Sequence, residues 1–375
     1  MLPLEGVRVA EFCQIAAGPF AGMLLADLGA DVIKVESPDG DGMRNWPPVT
    51  AGDSENFAAV NRNKRSAVLD LKDPAGLAAA RKLCLAADIV LENFRPGVMQ
   101  RLGLGHAGLA REKPSLVYCS VSAFGQQGPR AQEGGFDVTI QAISGVMSVT
   151  GEPDGAPVKC GVPVSDFAAG LYAAYACTAA LMKARATGEG EWIDVPMQGT
   201  TLAIAALQTS ELFGNGRDPV KLGSAHPRNA PYQAFRCRDG HFVMAAGNDD
   251  LYRRACEALA LGDAASDPRF SSTTLRARNQ VALCAIVEAA CAACSAEDCL
   301  AALRAKGVPC APINTYSQAL DDPQVRHYGW VQPLELPGGA RTRTFTSPLG
   351  MGVAPRRRPP ALGEHTQEVL KEIGA

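Results

Sequence analysis

GVRVAEFCQIAAGPFAGMLLADLGADVIKVE, residues 6–36, is the stretch that sets the fold class. GVRVAEFC is a short apolar run of the kind that forms a buried strand. AAGPFAGMLLADLG reads as a helix. Pro19 sits near its first turn, where the missing N–H has no partner to lose, and Gly29 lies just past its end. ADVIKVE is a second strand. Strand, helix and strand form one β-α-β unit with parallel strands.

The same alternation continues outward. SAVLDL reads as a strand, Asp73 and Pro74 open a helix that runs to about Ala87, and DIVLEN and LVYCSVSAF are further strands. Repetition of this kind predicts a largely parallel sheet with helices on its faces, an α/β fold. DFAAGLYAAYACTAALMKAR, residues 166–185, reads as a long helix whose Ala and Gly residues permit close packing, and GEGEWIDVPM as a turn and a strand. The texture changes near residue 220. A hairpin with a DG turn and a helical stretch from about Asp249 to Lys306 predict a separate α/β domain over 225–325. SAED at 295–298 is a capping-box start, and Gly307 is the expected stop. The chain ends in a Pro-rich loop and a short terminal helix.

Composition narrows the function. The chain has 375 residues, 47% hydrophobic and 20% charged, enough for two domains with sizeable cores. A net charge of −3 argues against general nucleic-acid binding, so an anionic ligand must be met by local basic groups. MLPLEGVRVAEF lacks the pattern of a secretory signal, and no apolar run is expected to span a membrane. The expected setting is the cytoplasm, with the 12 cysteines as reduced thiols. Cys284, Cys291, Cys294 and Cys299 include a C-x-x-C, but no second pair or nearby His completes a zinc set, and the helical spacing favours a core face. No metal site is expected.

GLGHAG, residues 103–108, is formally G-x-G-x-x-G, but it follows a helical segment and leads toward a strand, the wrong context for a dinucleotide fingerprint. The ends of the predicted strands are better ligand candidates. One ends in Asn93, Phe94 and Arg95, with Arg101 beyond; another in Ser122, Phe124, Gly125 and Gln126; a third in a Gly/Asp loop carrying Arg44. Lys64, Arg65 and Lys72 lie nearby in sequence. Such a set offers cations for phosphates and an aromatic face for a base, or else a solvated charged rim. The Arg356–Arg358 run, set among prolines, reads as an exposed linker. In GGFDVTIQAISG, residues 134–145, Asp137 is open to two readings: a helix cap ahead of core-facing Val138, Ile140 and Ile143, or a functional carboxylate.

The ordered set PLEGVRVAEF, AGPFAGMLLADLGADVIKVE, NRNKRSAVLDLKDP, ENFRPG, YCSVSAFGQQGP, GGFDVTIQAISGVMSVTG, DFAAGLYAAYACTAAL and PPALGEHTQEVL resembles the class III CoA-transferases over nearly the whole chain. The resemblance implies a Rossmann-like large domain that contains both termini, 1–215 with 330–375, a smaller α/β domain inserted toward the C-terminal half, and an interlocked homodimer, in which each chain threads through a ring made by the other. It implies that the coenzyme A thioester is a substrate, with no permanently bound cofactor. It maps the family's nucleophilic aspartate onto Asp137. It places Gln14 and Ala17 near the thioester and Arg44, Lys72, Asn93, Phe94, Arg95 and Arg101 against the CoA moiety, with Ser122 at a neighbouring strand end. Some relatives carry an all-glycine loop over the site; AAGND at 245–249 has a single glycine.

Moving CoA between acids without hydrolysis needs a carrier carboxylate, which forms first a mixed anhydride and then an aspartyl-CoA thioester, with water excluded. The α-methylacyl-CoA racemases share the fold but place a His before the Asp; here Phe136 stands there, and it cannot move a proton. A non-catalytic CoA-binding protein is the reading from another class. LGSAHPRNAPYQAF and PINTYSQALDDPQV resemble relatives that pair succinyl-CoA with a second dicarboxylate such as glutarate, malate, citramalate or itaconate. His226 and Arg228 are candidates for the distal carboxylate, and Arg44 is another, with His226 equally readable as a loop histidine beside Pro227.

Overall fold

The computed structural model describes residues 1–354 and 357–375, so Arg356 lies outside the described residues. The chain runs β1 (Arg8–Phe12), α1 (Ala17–Asp27), β2 (Asp31–Glu36), β3 (Val49–Thr50), β4 (Asp53–Ser54), α2 (Glu55–Asn61), β5 (Arg65–Val68), α3 (Pro74–Ala86) and β6 (Ile89–Glu92). It continues with α4 (Val98–Arg101), α5 (His106–Glu112), β7 (Val117–Ser122), α6 (Asp137–Ile143), α7 (Val146–Val149), α8 (Val164–Thr187), β8 (Trp192–Pro196), α9 (Met197–Ile204) and α10 (Ala206–Asn215).

Six strands form a parallel sheet in the order β5-β2-β1-β6-β7-β8. Val9 lies opposite Val32 on one side and Ile89 on the other. The period-2 rule then divides the side chains between two cores. Val9, Val32, Ile89, Leu91, Val117 and Cys119 face the layer of α1 and α8. Ala10, Phe12, Ile33, Val35 and Val90 face the layer of α3 and α5. Local signals set the helix ends. The Asp73 carboxylate accepts the Gly76 N–H at 3.0 Å to start α3, with Pro74 as its first residue. Gly188 stops α8 at φ +77°.

At 24 residues, α8 is long and apolar enough to cross a membrane by length and composition, which corrects the expectation that no segment would be. Its buried face, through Ala169, Ala173 and Cys177, packs instead into the sheet core. The cations of NRNKRS also differ from expectation. Lys64 is fully buried on Glu11, and Arg65 pairs with Asp31, Glu368 and Glu372. These charges tie strands and the C-terminal helix together and are engaged inside the fold rather than presented to a ligand. GLGHAG joins α4 to α5, with Gly105 as the cap of α5, and no strand precedes it.

Met1–Val146, Lys159–Arg217 and Gln324–Ala375 form one compact unit; Met147–Val158 and Asp218–Pro323 form a second. In the second, β9 (Tyr232–Cys237) and β10 (Gly240–Ala245) make the expected hairpin, and β11 (Cys310–Pro312) pairs with β10. The helical stretch resolves into α11 (Asp249–Ala258), α12 (Thr273–Arg278), α13 (Gln280–Cys291) and α14 (Ala296–Ala305). Ser295 and Asp298 make the capping box that starts α14. Cys291 and Cys299 are buried with Leu283, Val287 and Phe242, so the cysteine cluster is core. After α15 (Tyr316–Leu320) and α16 (Pro323–Tyr328), the chain adds the hairpin β12 (Val331–Glu335) and β13 (Arg341–Phe345) and ends in α17 (Thr366–Glu372).

Candidate active site

Strand order in the parallel sheet reverses between β1 and β6, whose following segments depart to opposite sides. A crevice at the carboxyl ends of such a pair is the usual ligand position in this architecture. The two strand ends are stitched together there. The Gln14 N–H donates to Asn93 Oδ1 at 2.9 Å, and Asn93 Nδ2 donates to the Gln14 carbonyl at 2.8 Å. Beside them lies a cleft of about 380 Å³. It brings together Asn93, Phe94, Arg95 and Ser122 with Gly134 and Phe136.

Asp137 follows Phe136 and is the first residue of α6. Phe136 has extended backbone and caps the helix through its main chain: its N–H donates to Thr139 Oγ1 at 2.9 Å and its carbonyl accepts from the same hydroxyl at 2.8 Å. Asp137 is therefore free of capping duty. Its Oδ2 accepts from Gln141 Nε2 at 2.6 Å, and its Oδ1 accepts from the Ser165 N–H at 2.9 Å and, more weakly, the Asp166 N–H at 3.5 Å. Gln141 is fully buried, and its Oε1 accepts the Cys160 N–H at 2.8 Å, which fixes the amide so that its NH₂ faces Asp137. Donors on both oxygens hold the carboxylate in one orientation. The core-face reading of this segment holds only for Ile140; Val138 is 47% and Ile143 38% exposed.

Asp166 is a second carboxyl in this corner that the sequence showed only as a helix start. Burial, and then the charge of Asp137, push it up to about 6. Glu92 is the last residue of β6, next to Asn93. Burial pushes it up to about 7, against the Ser120 hydroxyl and the Phe94 N–H that bonds its Oε2 at 2.9 Å.

The remaining candidates are dispersed. Ala17 is buried at the start of α1. Lys72 and Arg101 are exposed, the latter in the last turn of α4. Arg44 is engaged: it forms an ion pair with Glu36 at 2.6 Å, donates to the Pro360 carbonyl at 3.1 Å, and stacks 3.9 Å over Phe57. His226 and Arg228 belong to the second unit. There His226 Nδ1 accepts the N–H groups of Arg228 and Asn229, both at 3.1 Å, and partial burial and the Arg228 charge lower its pKa. This histidine therefore ties its own loop, and as a neutral imidazole it keeps an Nε2–H donor. The sequence analysis missed Gln141, Ser165 and Asp166. Gln141 was findable, being one helical turn from Asp137, whereas Ser165 and Asp166 are brought there by the fold of the intervening loop.

Comparison with known proteins identifies the family. Residues 4–366 match the model of CoA-transferase family III. A succinate–glutarate CoA-transferase of Agrobacterium fabrum is 41% identical over 99% of this chain and 96% of its own. The human succinyl-CoA:glutarate CoA-transferase is 36% identical over 99% of this chain and 86% of its own. A crystal structure of a CAIB/BAIF family protein from Brucella suis superposes with a TM-score of 0.88 at 37% identity, covering 99% of both chains. With the family model spanning almost the full length and the parallel sheet shared with a solved relative, this chain belongs to CoA-transferase family III.

Proposed function

We propose that this enzyme moves CoA from succinyl-CoA to a second dicarboxylate, glutarate first among the candidates, with Asp137 as the carrier. The observation that carries this reading is the Asp137 carboxylate, oriented through both oxygens at the edge of a cleft lined by Asn93, Phe94, Arg95 and Ser122. The names of the two curated relatives supply the substrate class.

The chemistry follows from a carboxylate that is both nucleophile and leaving group. An Asp137 oxygen attacks the thioester carbon, the C–S bond breaks, and CoA thiolate leaves a mixed anhydride. The thiolate then attacks the Asp137 acyl carbon and expels succinate, giving an aspartyl-CoA thioester. The acceptor carboxylate attacks that acyl carbon, releasing thiolate and a second anhydride. Thiolate attack on the acceptor's acyl carbon forms the new thioester and frees Asp137. Each step trades one activated acyl bond for another and consumes no proton. The Gln141 and Ser165 donors keep Asp137 aimed between turnovers, and their bonds must loosen on the attacking oxygen as it gives up its charge. Exposed Lys72 and Arg101 suit the phosphates of CoA, and Phe94 offers a flat apolar face beside the cleft.

The test is mass spectrometry of the CoA products formed from succinyl-CoA and a panel of mono- and dicarboxylic acids. Glutaryl-CoA should accumulate with the wild type and be absent with Asp137→Ala. Equal product from both proteins would refute the role of Asp137. Deuterium entering the α-carbon of a branched acyl-CoA without acyl exchange would replace transfer by racemisation.

A further inference from the structure

Between β1 and α1, Ile15 adopts φ +67°. The left-handed region is disfavoured for an L-residue and most of all for a β-branched one, and glycine is its usual occupant. Something must hold the backbone there. Both oxygens of Asp41 do so, each accepting the Ile15 N–H at 3.2 Å. Asp41 is itself buried and doubly anchored. Its N–H donates to Glu36 Oε2 at 3.0 Å, and its Oδ2 pairs at 2.9 Å with the Nζ of Lys34, a lysine with no exposed surface. The same Nζ donates to the Cys13 carbonyl at 2.7 Å. One buried ammonium therefore grips the chain just before Gln14, and its partner carboxylate grips it just after. The residue between them is the one whose main chain is bonded in both directions to Asn93.

We infer that Asp41, clamped by Lys34, is a positioning residue for the transfer site: it forces the Ile15 turn that presents Gln14 to Asn93 at the β1/β6 crevice. The inference rests on the proposed function, and on the family resemblance that places Gln14 and Ala17 near the thioester. Strained backbone held by buried charges is costly and persists where geometry matters. A fold that needed only a tight turn could place glycine at position 15 and leave Lys34 and Asp41 apolar.

The test compares the wild type with Asp41→Asn and the double variant Asp41→Asn/Ile15→Gly in succinyl-CoA:glutarate transfer. Asp41→Asn keeps size but loses the ion pair and one of the two acceptors. Its kcat should fall about ten- to a hundredfold, the scale of an ångström-level misplacement, with KM for succinyl-CoA within about twofold of the wild type, since CoA-contacting side chains are untouched. Glycine at position 15 adopts the positive φ without help, so the double variant should recover most of kcat, a rescue that mere loss of stability would not give. Unchanged kcat in Asp41→Asn, or a loss that glycine does not rescue in a protein melting like the wild type, overturns the proposal. Should Asp41→Asn fail to fold, Asn93→Ala cuts the same link from the other strand: reduced kcat in an intact fold supports the proposal, and wild-type kcat overturns it. Transfer abolished by Asp137→Ala, with Asp41→Asn at full rate, would leave the proposed function standing and remove this inference alone; no transfer by the wild type removes both.

Discussion

Glu92 carries a proton into the neutral range because burial at the end of β6 penalises its charge. Its ordinary value is 4.5 and its value in the fold about 7, so the folded chain binds a proton that the unfolded chain has released. Stability should therefore fall as pH rises from about 4.5 to about 7 and level off above that. Gln in its place mimics the protonated acid and still accepts the Phe94 N–H. Glu92→Gln should match the wild type near pH 4.5 and exceed it at pH 8, by on the order of 3 kcal/mol, in urea unfolding at the two pH values. Parallel pH profiles for both proteins would show that Glu92 is ionised in the fold. At this scale the sequence was legible where one residue type has one role. Asp137, by contrast, was open on its spacing to a helix cap or a functional carboxylate, and only the family resemblance singled it out. Arg44 and Lys64 were legible only as cations. That one pairs with Glu36 and the other with Glu11 depends on strand neighbours far apart in sequence.

Helix α8 packs against α1 through a glycine. A Cβ built on Gly170 would lie 2.7 Å from the Ala17 carbonyl oxygen and 2.9 Å from the Phe20 ring. Backbone at that distance cannot swing aside as a side chain can, so Gly170→Ala must push the two helices apart. The gain in helix propensity, roughly 1 kcal/mol, is outweighed by overpacking of roughly 1–3 kcal/mol. Thermal unfolding should show a lower Tm for Gly170→Ala, and transfer should slow as well, because the displaced Ala17 begins the helix after the Gln14 turn. A raised Tm would mean that the helices separate freely. The elements of the parallel sheet were legible because most are short apolar runs with Gly, Pro, Asp or Asn near an end. The β12–β13 hairpin was not. Among β12 residues only Leu334 is buried, among β13 residues only Thr344, and Pro333 interrupts the run, so no alternating pattern arises. The strands β3 and β4, two residues each, are too short to carry one.

The apolar side chains left uncovered on the larger unit bear on the whole molecule. Leu171, Tyr175 and Met182 fall within ~40° of one another around α8 at 100° per residue, and all three are exposed, Tyr175 by 72%. Leu202 and Ile204 on α9 and Leu207 and Phe213 on α10 extend the exposed apolar surface, Phe213 at 83%. A monomer rarely keeps so many large apolar side chains wet, and a second copy of the chain is the partner that the family resemblance names. Phe213→Asp should therefore lower the dimer fraction in native mass spectrometry, and a wild type that stays monomeric at micromolar concentration would refute the dimer. Interlocking makes a sharper claim than dimerisation. Two chains that merely dock exchange partners at a rate set by the buried area and its desolvation. Two chains threaded through each other exchange only after one ring opens, which requires unfolding. Tagged and untagged dimers mixed at 25 °C should then yield no hybrid over days, yet yield hybrid in statistical proportion after denaturation and refolding together. Hybrid formation under native conditions, at a rate unrelated to that of unfolding, would mean that the dimer is docked and not linked.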